Sequence, residues 1–241
     1  MNPATHALRD EASTRYLEGR LLRRRDRFTA WVEVDGKPLL AHLPNPGRLT
    51  ELLRPGAGVL LSEAADPARI TRFELLFIAL NGELVSVDSR LPNRIFREAL
   101  EDRRLREFQG WRIALEEPRT RRSRLDFLLR NDATGRECYV EVKSCTLVRE
   151  GVALFPDAPT VRGRRHVEEL MEARRMGFEA SSVFIVQRRG VEVFKVNGSL
   201  DPKFAEALSR AEKAGVKIYA YRAAVTPQGH EITGRLPALI N

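Results

Sequence analysis

Four residue types at short spacing carry the chemistry of this sequence: Asp126, then Glu141-Val142-Lys143. In a strand, residues two apart share a face, so Glu141 and Lys143 point the same way while Val140 and Val142 point into packing. If the strand carrying Asp126 pairs with this one through the polar turn at Asn131 to Gly135, the two carboxylates come close together. Such a pair repels unless a cation joins it, which suits a hard divalent metal with oxygen ligands, Mg²⁺ or Mn²⁺. The expected metal ligands are therefore Asp126 and Glu141. A metal so held polarises a phosphodiester and activates water, and an ammonium group beside it can orient that water or stabilise charge developing on phosphorus. Lys143 is one of 6 lysines against 35 arginines. Unlike guanidinium, an ammonium group can titrate and donates from a point. The bland reading is a surface hairpin with a solvated Glu and Lys, because the pattern is short and common. Against it, the carboxylates are embedded in apolar strands, and Arg122 and Arg124 are expected on the same face as Asp126.

Other residues could join this centre. Glu98, on an expected helix over Asn93 to Arg106, could supply a third carboxylate, or be an ordinary exposed glutamate. On a second helix, from about Thr160 to Met176, Arg162, His166 and Glu169 fall on one face. With Arg165 they could line a phosphate groove near the helix N-terminus, or form a solvated face. Arg20, Arg23, Arg24, Arg25 and Arg27 cluster beside Phe28 and Trp31. Basic residues next to aromatics suit a single strand's backbone and bases. Arg48, in the Pro44 to Leu49 loop, is a further phosphate contact.

The elements that must position these residues fall into two textures. Phe28, Ala30, Val32 and Val34 alternate with polar residues, and Asp35-Gly36 before Leu39 to Leu43 signals a hairpin. A short helix at Leu49 to Leu53 and strands at Val59 to Leu61, Phe73 to Leu80 and Glu83 to Val87 complete a small β-barrel of OB type. Beyond it a helix is followed by strands at Trp111 to Leu115, Ser123 to Arg130 and Glu137 to Lys143. Gly151 to Pro159 reads as irregular. After the second helix come strands at Ser182 to Gln187 and Val191 to Val196, a helix at Pro202 to Lys213, and a last strand from Val216 to Val225. This is a mixed sheet flanked by helices, so the fold class is a two-domain α/β protein, with an OB-like domain over 1–84 and a mixed-sheet domain over 85–241.

Composition bounds the function classes. A net charge of +8 and a pI near 10.0 favour a polyanionic partner, although the arginine bias weakens that argument. No apolar run is long enough to span a bilayer, and Met1 to Tyr16 lacks the apolar core of a signal peptide. Cys138 and Cys145 make neither a disulfide framework nor a zinc site, which fits a cytoplasmic protein. Walker, dinucleotide-binding and Ser-His-Asp signatures are lacking.

Longer segments carry a resemblance. Ser123-Arg-Leu-Asp126-Phe-Leu-Leu, Cys138-Tyr-Val-Glu141-Val-Lys143-Ser and the block from Gly151 through Pro156, Thr160, Gly163 and His166 to Leu170 resemble the sugar fermentation stimulation protein (SfsA) family. So does Ala41-His42-Leu43-Pro44-Asn45-Pro46-Gly47, although Leu43, Pro46, Arg48 and Leu49 replace the residues usual in that loop. The resemblance implies an N-terminal OB-like domain, a C-terminal domain similar to the PD-(D/E)xK nucleases, and DNA binding. It aligns Asp126, Glu141 and Lys143 with the nuclease pattern, and Glu98 with its helix acid. Three functions compete: a Mg²⁺- or Mn²⁺-dependent nuclease on DNA or RNA, a non-catalytic DNA-binding regulator of sugar metabolism genes, and a sugar-responsive protein with incidental basic charge.

Overall fold

A computed structural model describes residues 15–64 and 69–240. The expectation about a signal peptide falls largely on residues outside that description. The chain divides into two compact units, Met1–Leu91 with Ala224–Glu231, and Pro92–Ala223 with Ile232–Asn241. The division falls later in the chain than the 84/85 boundary expected from sequence.

The first unit is a closed barrel of β1 (Tyr16–Arg24), β2 (Thr29–Val34), β3 (Lys37–His42), β4 (Gly58–Glu63) and β5 (Phe73–Leu80), with β6 (Glu83–Ser86) added beside β5. Pairing runs β1-β2-β3-β5-β4 and back to β1, antiparallel except for the parallel contact between β3 and β5. This is the strand order of an OB barrel. The β2–β3 turn is the expected one: Asp35 and Gly36 both take positive φ, 50° and 72°, as a tight hairpin with matched twist requires. Leu21, Ala30, Val32, Ala41, Val59, Leu61, Leu75 and Ile78 fill the barrel. Gly19 lets the strands close, because a Cβ there would lie 2.7 Å from the carbonyl oxygen of Glu33. The expected helix at Leu49 to Leu53 is only a turn, closed by the amides of Leu52 and Leu53 on the Leu49 carbonyl.

The second unit contains α1 (Leu91–Glu101), β7 (Trp111–Glu116), β8 (Phe127–Asn131), β9 (Glu137–Cys145), β10 (Val148–Arg149), β11 (Val152–Phe155), α2 (Val161–Arg175), β12 (Glu179–Val186), β13 (Val193–Val196), α3 (Pro202–Lys213), β16 (Ala238–Leu239) and, outside the Ala224–Glu231 stretch that belongs to the first unit, β14 (Lys217–Thr226) and β15 (Gly229–Leu236). The main sheet runs β15-β14-β12-β9-β8-β7, and a smaller one runs β10-β11-β13-β16. Strands β7, β8 and β9 are antiparallel neighbours, whereas β9, β12 and β14 run parallel. Apolar residues of α2 and α3, among them Val167, Leu170, Phe204 and Leu208, pack with Phe184, Phe194 and Ala220 of the strands.

Several elements differ from expectation. α1 stops at Glu101, where Arg103 takes a φ of 56° that a helix cannot continue through. β8 begins at Phe127, so Asp126 stands just ahead of the strand rather than within it. Gly151 to Pro159 is not wholly irregular, since β11 pairs in parallel with β13 through Val152 to Phe155. The last expected strand is followed by β15 and β16. Among the described residues, no helix is long and apolar enough to cross a membrane.

Candidate active site

β9 lies between β8 and β12 and is buried at its centre, from Val140 to Val142, so a carboxylate at position 141 enters the interior unless something receives it. Glu141 is only 2% exposed. Its Oε1 accepts hydrogen bonds from Lys143 Nζ, two residues along the strand, and from the ring of His166 on α2. Its Oε2 is buried and has no hydrogen-bond partner. Burial by itself would raise the Glu141 pKa, but the Lys143 charge and the hydrogen bond from His166 outweigh it and hold the group below the usual carboxylate range.

Asp126 enters from the segment before β8. Its amide donates to the Val140 carbonyl, at 3.2 Å. Its carboxylate accepts from the Val142 amide at 2.7 Å and from Asn93 Nδ2 at 2.9 Å. Burial and the neighbouring Glu141 charge push the Asp126 pKa up to about 6, against the lowering effects of Lys143, Val142 and Asn93. Asp126, Glu141 and Lys143 therefore share one electrostatic site. Strand alternation is not what delivers Asp126, since it precedes β8; its bond to the β9 backbone does so.

His166 is 4% exposed, not on a solvated groove. Its Nδ1 lies 3.3 Å from Lys143 Nζ, and its Nε2 lies 3.3 Å from Arg162 Nε. A guanidinium can only donate, so Nε2 is the acceptor and Nδ1–H donates to Glu141. Gly163 leaves room for the cap of α2: a Cβ there would stand 2.8 Å from the Thr160 side chain that accepts from the Gly163 amide.

Glu98 is half-buried on α1, five positions after the Asn93 that reaches Asp126. Five helical positions turn a side chain by roughly 140°, so Glu98 does not share the face of α1 from which Asn93 reaches Asp126. Among the described residues, no group of three or more His, Cys, Asp or Glu side chains comes together to hold a metal. Arg124 is exposed and paired with Glu117 at 2.9 Å, while Arg122 lines a cleft beside α2. Neither flanks Asp126 through the strand alternation expected of them. Arg165 is exposed on α2.

The residues expected to touch nucleic acid in the barrel lie near one another. Arg23 stands opposite the half-buried Trp31 across β1 and β2, and Arg25 and Arg48 are exposed. Phe28, 45% exposed, stacks on His42, with the Arg27 guanidinium 5.4 Å from its centroid. Arg24 is not free for a ligand. Its guanidinium donates to the carbonyls of Asp26, Arg27, Asn45, Gly47 and Arg48, at 2.6 to 3.2 Å, pinning the loop that carries Arg48.

Sequence reasoning missed Asn93 and misassigned His166. The signal for His166 was present: Gly163, His166, Val167 and Leu170 form a buried stripe at helical spacing, so the histidine belongs to the inward face. Asn93 gave no comparable signal.

An OB barrel followed by a restriction-endonuclease-like sheet with this acid–acid–lysine cluster defines a nuclease-fold class of protein. Comparison with known sequences narrows the class. The family model for the sugar fermentation stimulation protein RE domain matches residues 90–229, and that for the SfsA N-terminal OB domain matches residues 22–87. The chain belongs to the sugar fermentation stimulation protein family. It is 46% identical to the sugar fermentation stimulation protein homolog of Moorella thermoacetica over 90% of this chain and 94% of that one. It is 45% identical to the homolog from Methanothermobacter thermautotrophicus over 85% of each. The SfsA structure of Pyrococcus furiosus, solved in complex with Ca²⁺, superposes with a TM-score of 0.88 at 35% identity, covering 96% of this chain and 98% of that one.

Proposed function

We propose that this protein is a nuclease, dependent on Mg²⁺ or Mn²⁺, that hydrolyses phosphodiester bonds in DNA or RNA. The observation that carries the reading is the buried, unpartnered Oε2 of Glu141 beside the buried carboxylate of Asp126. A buried acceptor without a donor is costly, and two neighbouring acids compound that cost. A divalent cation held by these two groups would relieve both. Mg²⁺ is commonly held by one or two carboxylates together with waters and substrate phosphate, so a pair of acids suits that ion without a closed protein cage. The relative solved with Ca²⁺, another oxygen-seeking cation, supports divalent-ion binding.

When bound, such an ion supplies Lewis acidity and a water of lowered pKa. The remaining work falls to the chain. Lys143 and His166 hold Glu141 by one oxygen and leave the other open. Asn93 and the Val142 amide fix both oxygens of Asp126. Lys143, 17% exposed, presents an ammonium group where negative charge on a phosphoryl group would grow. The arginines and aromatics of the barrel would hold a strand by its phosphates and bases.

A second reading, a non-catalytic DNA-binding regulator, draws on the exposed arginines and aromatics of the barrel, which can hold a strand without any metal chemistry. Incubation with single-stranded and duplex DNA and RNA, with Mn²⁺, Mg²⁺ or EDTA, separates the two. Cleavage that needs the cation and disappears in Asp126→Ala and Lys143→Ala, while binding persists, supports the nuclease. Metal-independent cleavage, or equal cleavage by both variants, sinks it. Binding without cleavage under any of these conditions favours the regulator.

A further inference from the structure

Outside the acid–lysine cluster, the second unit contains a cleft of about 450 Å³ walled by α2, the end of α3 and the segment that leads into Asp126. Its size falls in the range of small-molecule sites. Glu169, one helical turn beyond His166, lines it and is only 7% exposed. Among the described residues, no hydrogen bond or ion pair is made to its carboxylate. A carboxylate on so enclosed a residue, with no protein donor, is left to accept from whatever enters the cleft. Arg121 and Arg122 also line the cleft, exposed and without ion pairs to the described residues. Met171 and Ala214 add apolar wall, Arg210 adds a planar cation that lies 3.9 Å from Glu206, and Glu168 and the Glu172–Arg175 ion pair complete the lining.

A ligand that satisfies these groups together carries adjacent N–H donors, a flat apolar body and an anionic group. A carboxylate has two oxygens and can only accept, so it matches a pair of adjacent N–H groups. Among the nucleobases, guanine presents such a pair on one edge, through its ring N–H and exocyclic amine. Adenine and cytosine each place a ring acceptor beside their amine, which would face the carboxylate repulsively. Guanidinium groups suit phosphate by geometry as well as charge, and they stack on planar rings. A thioether such as that of Met171 packs well against an aromatic face.

We propose that this cleft binds a guanine nucleotide, with Glu169 reading the base edge and Arg121 and Arg122 holding the phosphate. The guanine could belong to a free nucleotide or to a nucleic-acid strand, since the recognition chemistry is the same. Only the strand form rests on the nucleic-acid reading above.

The test is calorimetric titration in EDTA, where no cleavage takes place, so that failure of the nuclease reading leaves this result interpretable. GMP, IMP and AMP are compared first. GMP should bind about tenfold or more tighter than AMP, with IMP between them because it lacks the exocyclic amine. Glu169→Gln is nearly isosteric, but its amide cannot accept two N–H bonds from one edge, so it should abolish the preference while the melting temperature is kept. Arg121→Ala/Arg122→Ala should reduce the affinity for GMP to that for guanosine. Oligothymidylate with and without one guanine then identifies the source. Tighter binding of the guanine-bearing strand assigns the site to a strand, and a preference confined to GMP assigns it to the free nucleotide. Equal binding of GMP and AMP, or a preference that survives in folded Glu169→Gln, overturns the proposal.

Discussion

At the scale of single residues, the site is a set of charges held in tension. Asp126 has its pKa raised to about 6 from an ordinary 3.8, chiefly by burial and then by the Glu141 charge. A folded-state pKa above the unfolded one means that the native chain holds the proton more tightly. Stability of the metal-free protein is therefore full below about pH 4 and declines as pH rises to about 6, as far as this group is concerned. The span corresponds to about 3 kcal/mol. Asp126→Asn, which keeps an acceptor for the Val142 amide, should flatten that slope. Urea denaturation at pH 4 and pH 7 reads it directly, and an unchanged slope would show that Asp126 is not the group responsible. His166 gives a second expectation. Because it positions Glu141 rather than touching substrate, His166→Ala should weaken Mn²⁺ affinity by about 10- to 100-fold, as loss of an outer partner commonly does. Titration of Mn²⁺ by its paramagnetic signal checks this, and affinity equal to wild type would remove His166 from the site. Cys138, whose thiol is pushed up to about 11 by burial, should resist iodoacetamide at pH 8 in the native state.

At the scale of elements, the position of α2 decides whether His166 reaches Glu141. The Thr160 side chain accepts from the Gly163 amide at 2.9 Å, and the Thr160 amide donates to Asp201 Oδ2 at 2.8 Å. Asp201 Oδ1 accepts from the Phe204 amide at 3.0 Å, so one buried carboxylate ties together the starts of α2 and α3. Asp201→Ala should cost more than the roughly 1 kcal/mol typical of a single lost cap. Thermal melting of Asp201→Ala beside Thr160→Ala checks it, and equal losses would mean that Asp201 caps α3 alone. The caps were legible in the sequence because Thr160 and Pro202 mark helix starts, and Gly177 and Gly215 follow helix ends. The Asp35-Gly36 hairpin was legible for the same kind of local reason. β11 was not, since a four-residue parallel strand beside prolines has no alternation to detect, and its partner β13 lies far along the chain. The position of Asp126 was half legible. Its proximity to Glu141 followed from pairing, but the bond to the Val142 amide that places it belongs to tertiary structure.

At the scale of the whole molecule, the net charge of +8 is a statement about partners rather than fold. Not every arginine behind it is free to meet phosphate, as the five carbonyls bound by Arg24 and the ion pair between Arg124 and Glu117 illustrate. Counting arginines thus overstates the surface available to phosphate, and the salt dependence of binding measures what remains. If about six phosphates are contacted, affinity for a single strand should fall roughly 300-fold across a fourfold rise in salt. Replacing Arg23, Arg25 and Arg48 together by Ala should make the logarithmic slope shallower by about two to three units, since each lost phosphate contact removes about 0.7 to 0.9. Trp31→Ala should behave differently. A lost stacking contact weakens binding by about 1 to 3 kcal/mol per base and releases no counterion, so the affinity falls while the slope stays. Fluorescence anisotropy over a salt series with both variants separates charge from stacking. If the triple variant keeps the wild-type slope, phosphate binding lies elsewhere on the molecule. If Trp31→Ala changes the slope as well, the aromatic acts by holding the arginines in place and not by meeting a base.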